Sequence, residues 1–435
     1  MEQITKPHCG ARLDRLPDCR WHSSMFAIVA FGLLVCWSNA VGGLILAQLK
    51  ALGWTDNSTT ATFSAITTAG MFLGALVGGI IGDKTGRRNA FILYEAIHIA
   101  SMVVGAFSPN MDFLIACRFV MGVGLGALLV TLFAGFTEYM PGRNRGTWSS
   151  RVSFIGNWSY PLCSLIAMGL TPLISAEWNW RVQLLIPAIL SLIATALAWR
   201  YFPESPRWLE SRGRYQEAEK VMRSIEEGVI RQTGKPLPPV VIADDGKAPQ
   251  AVPYSALLTG VLLKRVILGS CVLIAMNVVQ YTLINWLPTI FMTQGINLKD
   301  SIVLNTMSMF GAPFGIFIAM LVMDKIPRKT MGVGLLILIA VLGYIYSLQT
   351  SMLLITLIGF FLITFVYMYV CYASAVYVPE IWPTEAKLRG SGLANAVGRI
   401  SGIAAPYAVA VLLSSYGVTG VFILLGAVSI VVAIA

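Results

Sequence analysis

Charge is what this chain lacks. Asp, Glu, Lys and Arg make up only 12% of its 435 residues, about half of the roughly 25% carried by soluble domains. Histidine occurs three times. No nucleophile with a partnered histidine appears, no pair of carboxylates and no Gly-Lys-Ser/Thr phosphate loop. These absences speak against an enzyme and against an ATP-driven pump. The seven cysteines are scattered, and five lie in apolar stretches where a thiol is a small hydrophobe. His8, Cys9, Cys19 and His22 share the N-terminal tail but match no closed zinc spacing, so neither a metal nor another cofactor is expected.

What is abundant is apolar sequence. Hydrophobic residues make up 56% of the chain, and the mean hydropathy is +0.73. A helix needs about 20 apolar residues to cross the hydrocarbon core of a bilayer. Twelve such spans are predicted, near 23–48, 59–82, 89–107, 112–136, 148–173, 181–201, 263–291, 301–323, 330–348, 352–378, 389–413 and 418–435. The first is too long and too far from the terminus for a cleaved signal peptide. The last barely crosses the core and ends without a polar tail, as if clipped.

The net charge of +10 is a topology signal and not a nucleic-acid one. Of the 31 Lys and Arg, 26 fall in alternate connections: the tail, the loops around 83–88 and 143–151, the stretch 200–265, and the loops 325–329 and 387–389. The opposite connections hold only Lys50, Arg181 and Lys299, and Arg118 and Arg399 lie inside spans. Basic loops resist translocation, which places both termini in the cytoplasm and the chain in a bilayer. Asn57-Ser58-Thr59 is a glycosylation sequon that matters only in a eukaryotic source.

The chain also repeats itself. Gly82-Asp83-Lys84-Thr85-Gly86-Arg87-Arg88 joins two apolar runs by a tight basic loop, and a worn copy, Asp324-Lys325-Ile326-Pro327-Arg328-Lys329, stands 241 residues later. Two related membrane halves are how many transporters are built. The expected organisation is a cytoplasmic tail (1–22), a six-helix bundle (23–202), a hydrophilic stretch (203–262) and a second six-helix bundle (263–435). The tail is expected along the membrane interface, with Trp21 at headgroup depth and its arginines in water. Within 203–262, Ala218, Val221, Met222, Ile225 and Val229 share one helical face, for which the spans' cytoplasmic ends are the expected partner. Gly234–Pro253 reads as a linker.

These features resemble the major facilitator superfamily, in the branch shared by sugar porters and organic-acid (nicotinate-like) transporters. Residues 79–88 (GIIGDKTGRR) are similar to the family's loop between helices two and three. Arg118-Phe119 with Gly122, Gly124 and Gly126 resembles its fourth helix. Glu138 with Arg145-Gly146, and Glu380-Ile381-Trp382-Pro383-Thr384 with Arg389-Gly390, resemble the paired loops after helices four and ten. Pro203-Glu204-Ser205-Pro206-Arg207-Trp208-Leu209 resembles the sugar-porter signature after helix six. The strings RLDRLP, LINWLPTIF and ANAVGRISG more narrowly resemble a group of bacterial metabolite transporters. The resemblance implies an all-α membrane protein of twelve transmembrane helices in two pseudo-symmetric bundles, in a bacterial inner membrane and monomeric.

Chemistry beside that resemblance comes from the few polar residues. Gly86 permits a tight turn, and Gly74, Gly78, Gly79 and Gly82 allow helix two to pack closely on a neighbour. Asp83 is expected to face a helix N-terminus or Arg145. Asp83, Arg87, Arg88, Glu138, Arg145, Glu204 and Arg207 form a candidate gate of loop charges, which Asp324, Arg328, Glu380 and Arg389 would mirror; the alternative is ordinary solvated loop charge. Ionisable residues inside spans are functional candidates, because each is costly without a cavity or partner. Arg118 and Arg399 outnumber the intramembrane acids and favour an anion, since Arg offers a carboxylate bidentate geometry. Arg118 has the alternative of a structural bond to backbone carbonyls or to Asn39. Glu95 and His98, one turn apart, read first as a lateral pair near the interface. Where proton-coupled sugar porters carry a helix-one aspartate facing the helix-four arginine, this chain has Trp37-Ser38-Asn39-Ala40. Either protons are carried elsewhere, with Glu95 or Glu138 as options, or a substrate carboxylate meets Arg118, or transport is not proton-coupled.

Asn277, Tyr281 and Asn285 recur at four-residue spacing in helix seven beside Gln280 and Trp286. With Asn157 and Trp158 of helix five and Tyr367, Tyr369 and Tyr372 of helix ten, they suit a hydroxylated or carboxylated small molecule, or else helix–helix hydrogen bonding. The expected function is secondary transport of a small polar metabolite, an organic anion first and a neutral sugar or polyol second. A nutrient receptor would carry a signalling domain, for which 203–262 is too short.

Overall fold

A computed structural model describes residues 7–141, 145–240, 253–383 and 386–434. Outside them lie the first six residues of the tail, residues 142–144 of a basic loop, most of the linker expected over Gly234–Pro253, Thr384, Glu385 and Ala435. Every described regular element is helical. A short helix α1 (Cys9–Asp14) precedes the first span, which comes in two pieces, α2 (Arg20–Val35) and α3 (Gly42–Ala51). Spans two to four are α4 (Asn57–Thr85), α5 (Arg87–Ala106) and α6 (Met111–Tyr139). Span five is again split, into α7 (Arg145–Asn157) and α8 (Ser159–Leu170), and α9 (Ala176–Tyr201) is span six. Helices α10 (Pro206–Ser211), α11 (Tyr215–Thr233) and α12 (Tyr254–Leu257) lie between the halves. The second half is α13 (Gly260–Thr293), α14 (Leu298–Met309) with α15 (Gly311–Val322), α16 (Arg328–Ser347) and α17 (Met352–Cys371). A π-helical turn, Tyr372–Tyr377, and α18 (Val378–Glu380) prolong α17, and α19 (Lys387–Ile434) closes the chain.

Nine of these stretches are long and apolar enough to cross a membrane among the described residues. They contain ten spans, because α19 breaks at Gly417 (φ 65°, ψ −159°) into spans eleven and twelve. The first and fifth spans are split and complete the twelve. Two of the splits have a covalent cause. Pro161 offers no N–H to the carbonyl of Asn157, and Pro313 none to that of Met309, so α7–α8 and α14–α15 part there. The first span has no proline at its break. Its unwound residues give their polar groups to other helices, as described below.

The two halves repeat each other in detail. A Cβ on Gly70 or Gly74 of α4 would fall 2.3 Å from the carbonyl oxygen of Phe119 or 2.0 Å from that of Val123 on α6. In the second half, a Cβ on Gly311 or Gly315 would fall 2.4 Å from the carbonyl oxygen of Phe360 or 2.3 Å from that of Thr364. All four pairs are displaced by the same 241 positions as the loop repeat. Small residues let backbones approach closely where lipid supplies no hydrophobic drive between helices. Gly78 makes the same close approach to Ala127, whereas Gly79 faces open space and Gly82 has only ordinary contacts, so the close-packing role expected of those two moves to Gly70.

The tail departs from expectation. Cys9, Leu13 and Leu16 pack with Trp208, Leu209, Ala218, Met222, Ile225 and Val229 in a separate apolar cluster. The apolar face of α11 is thus covered mainly by the tail and α10, not by the spans. Two of the tail's arginines, Arg12 and Arg15, are drawn out of water, whereas Arg20 is exposed. Arg12 pairs with Glu226 at 2.7 Å and with Glu219, Arg15 pairs with Glu226 at 2.6 Å, and Arg207 reaches Asp14 at 2.9 Å. Burial pushes the Glu226 carboxyl up, but hydrogen bonds from Arg12 and Arg15 outweigh it and hold the group below its ordinary range. Trp21 packs on His22 and Tyr139.

Candidate functional site

Three polar constellations interrupt the apolar bundle. The first is a cavity of about 250 Å³ between the halves, lined by residues of spans one, two, four, five, seven and eleven. At the end opposite the basic loops the halves meet closely. A Cβ on Gly43 of α3 would lie 2.4 Å from the carbonyl oxygen of Ile284, Asn57 donates to Ser414 at 3.0 Å, and Asn305 donates to Ser164 at 3.1 Å. The cavity lies from mid-bundle toward the basic end, with Leu33, Phe133 and Ser153 on its walls.

Asn39, Asn157, Gln280, Tyr281 and Arg399 line it, as do Cys36, Ser159 and Tyr160, which the sequence reading passed over. The signal for Tyr160 and Ser159 was their place beside Asn157 at the Pro161 break. Arg399 is the cavity's one cation among the described residues, and its Nη1 is buried without a hydrogen-bond partner there. Guanidinium N–H groups left unpaired out of water are costly.

Other residues expected in the cavity lie elsewhere. Asn277 turns its amide back to the carbonyl of Leu273 at 2.7 Å. Trp286 is fully buried against Ala61, Ile290 and Val409 where the halves meet. Asn285 is buried beside Gly42 of α3. Trp158 lies edge-on to Phe310 of the split eighth span. Tyr372 stacks on Tyr377, and its hydroxyl occupies the space beside Gly332. Arg118 is also absent from the cavity lining. It is buried behind the first span, donating to the Ser38 carbonyl at 2.7 Å and to Thr67 Oγ1 at 3.2 Å, and lying 4.7 Å over the Phe63 ring.

The second constellation adjoins Arg118. Glu95 and His98 of α5 are both fully buried, not lateral, with Oε2 and Nδ1 3.5 Å apart. His98 Nε2 lies 2.7 Å from Ser38 Oγ. Ser38 sits in the unwound segment between α2 and α3, so its hydroxyl meets α5 while its carbonyl meets α6. Backbone groups freed by unwinding in a bilayer must find such partners.

The third constellation is the charged loop network. Asp83 pairs with Arg87 at 2.7 Å, not with Arg145, and Arg87 also pairs with Glu138 at 2.9 Å. Glu204, not Asp83, caps the start of α5: its Oε1 accepts from the backbone N–H of Arg87 at 2.7 Å and of Arg88 at 3.2 Å. Arg88 turns away to the carbonyl of Trp199 at 2.5 Å. Ser205 donates to Glu138, and Trp208 Nε1 donates to the Asp83 carbonyl at 2.7 Å. Arg145 opens α7 and makes no ion pair among the described residues. In the second half Arg328 pairs with Asp324 at 3.1 Å and with Glu380 at 2.9 Å. Glu380 therefore answers Arg328, the arginine of the repeated loop.

Comparison with known proteins agrees with this architecture. Residues 26–406 match the model of the Major Facilitator Superfamily. The inner membrane metabolite transport protein YdjE of Escherichia coli K12 is 44% identical over 429 residues, covering 98% of this chain and 94% of that protein. The niacin transporter NiaP of Acinetobacter baylyi is 25% identical, with 92% and 89% covered. Among solved structures, a partially occluded inward-open form of the xylose transporter XylE from E. coli superposes with a TM-score of 0.74 at 17% identity, over 95% of this chain and 97% of that one. Twelve helices in two repeated halves around a polar cavity, and a family match over most of the sequence, make this chain an integral membrane transporter of the Major Facilitator Superfamily.

Proposed function

We propose that the chain moves a small organic anion across a bacterial inner membrane by alternating access, with Arg399 as the contact for the substrate's carboxylate. The observation that carries this reading is the buried, unpartnered Nη1 of Arg399 in a cavity between the halves. Asn39, Asn157, Gln280 and Tyr281 supply the neutral donors and acceptors that would orient the rest of the molecule. The basic end is the cytoplasmic one by the distribution of Lys and Arg, so the conformation described is closed outside and faces inward. A neutral sugar or polyol is the second reading, favoured by the same four amide and hydroxyl side chains and by the segment Pro203–Leu209.

The test is uptake by proteoliposomes against a panel of labelled carboxylates, sugars and polyols. Truncating one side of a buried charged hydrogen bond costs about 2–5 kcal/mol, so Arg399→Ala should weaken an anionic substrate at least tenfold. Arg399→Lys should recover only part, because the fork geometry is lost. Normal binding by a folded Arg399→Ala protein, or a neutral substrate, would remove the anion reading and leave the sugar or polyol one.

A further inference from the structure

The Glu95–His98 pair has no place in substrate contact, yet it is built with care. Both side chains are fully buried, and Glu95 Oε1 has no hydrogen-bond partner among the described residues. A carboxylate held in a membrane interior without full pairing is costly and marks a functional site. We infer that Glu95 and His98 together form a proton-binding site, and that Ser38 transmits its occupancy to the substrate cavity. The inference rests on the transporter reading and not on the choice of substrate.

The surroundings leave few competing groups. Arg118 faces the pair from α6 through the Ser38 carbonyl, and Cys36 of the unwound segment lies within electrostatic reach of Glu95. The backbone of α6 at Gly124 packs directly on His98. Charges on the other packed helices lie near their ends: Asp83 and Lys84 on α4, and Glu177, Arg181 and Arg200 on α9. One fixed cation, one acid and one imidazole therefore decide the local charge.

A single proton changes both that charge and the hydrogen bonds. With His98 neutral, its Nδ1–H donates to Glu95 and its Nε2 accepts from the Ser38 hydroxyl. A proton taken from solvent onto the pair removes the negative charge that balances Arg118. Resting on Glu95, it makes the carboxyl the donor to Nδ1, so Nε2 carries the ring hydrogen and the Ser38 hydroxyl must turn its own away. This loads the Ser38 turn, whose next residue, Asn39, lines the cavity. Release of the same proton on the other side restores the starting arrangement. Proton and substrate then act on one unwound turn from opposite faces, which makes their binding reciprocal. No aspartate on the first span is needed, and Asn39 is free to serve the substrate.

The test begins without substrate. Purified protein in lipid nanodiscs, taken stepwise from alkaline to acid pH, should show an infrared band of a protonated carboxyl that appears as protons are added and is missing in Glu95→Gln. His98→Gln should change the frequency of that band, because the carboxyl loses its ring partner. Ser38 is a positioning residue: Ser38→Ala should keep the band but flatten the pH profile of transport. In proteoliposomes, Glu95→Gln should cut accumulation driven by a pH gradient at least tenfold while exchange of labelled for unlabelled substrate from the uptake panel falls less than threefold. If Glu95→Gln does not reach the membrane, Glu95→Asp must keep the band at a shifted frequency. A band unchanged in Glu95→Gln or unshifted in Glu95→Asp, or full gradient-driven accumulation by Glu95→Gln, overturns the inference. The infrared arm contains no substrate, so its outcome is independent of Arg399.

Discussion

The two halves carry the same three-residue charge motif and house it differently. Asp83, Arg87 and Glu138 in the first half correspond to Asp324, Arg328 and Glu380 in the second. In each, an arginine joins an acid one turn back to an acid at the end of a neighbouring span. The first copy is covered. Glu204 caps the helix that starts with Arg87, Ser205 binds Glu138 and Trp208 binds the Asp83 carbonyl, leaving Arg87 17% and Glu138 20% exposed. The second copy is more open, with Glu380 50% and Asp324 89% exposed. Exposed ion pairs contribute about 0–1 kcal/mol each, whereas breaking a buried one leaves an uncompensated charge. Repetition of a motif therefore does not imply repetition of its weight.

The comparison is most easily broken at its arginines. Arg87→Ala should lower transport about tenfold or more, because it strands Glu138 under cover. Arg328→Ala should lower it by no more than about threefold. Initial rates in proteoliposomes at matched protein levels decide this, and equal losses would mean that burial does not set the difference. Substrate affinity should stay within a few-fold in both, since neither arginine touches the cavity.

A smaller difference is expected at the loop turns. Gly86 has φ 98° and ψ 162°, a region open essentially to glycine alone, and a Cβ there would lie 2.3 Å from Glu204 Oε2. Gly86→Ala should destabilise the first half by about 1–3 kcal/mol and dislodge the Glu204 cap. Pro327, in the same place of the second loop, has φ −55°, and Pro327→Ala should leave thermal unfolding almost unchanged. Melting followed by a thiol-reactive dye on the seven cysteines gives the readout, and a Gly86→Ala protein as stable as the parent would show that the cap carries no load.

The smallest effect sharpens the comparison instead of breaking it. Asp83 is 64% exposed, close to its counterpart in setting. Asp83→Asn and Asp324→Asn should each change transport rates less than about threefold and should not differ between halves. A large loss confined to Asp83→Asn would place the gate on that acid and not on Arg87.

Much of this was legible in the sequence, and the remainder was hidden for identifiable reasons. Apolar length located the spans, and the charged loop repeated 241 positions later located the halves. The Asp83–Arg87 pairing was available in a four-residue helical spacing but was outweighed by the more distant Arg145. Helical periodicity showed that Asn277, Tyr281 and Asn285 share a stripe. It did not show that only part of that stripe faces the cavity, because a neighbouring span covers the rest. The burial of Glu95 and His98 depended on a break in the first span that no proline announces.

The docked tail carries a consequence for how the protein is made. Arg12 emerges from the ribosome among the first residues, while its partners Glu219 and Glu226 follow 207 and 214 positions later. Between them lie all six spans of the first half. The tail can settle only after those spans have been threaded and α11 has formed. Its burial therefore requires that synthesis has passed the whole first half and α11.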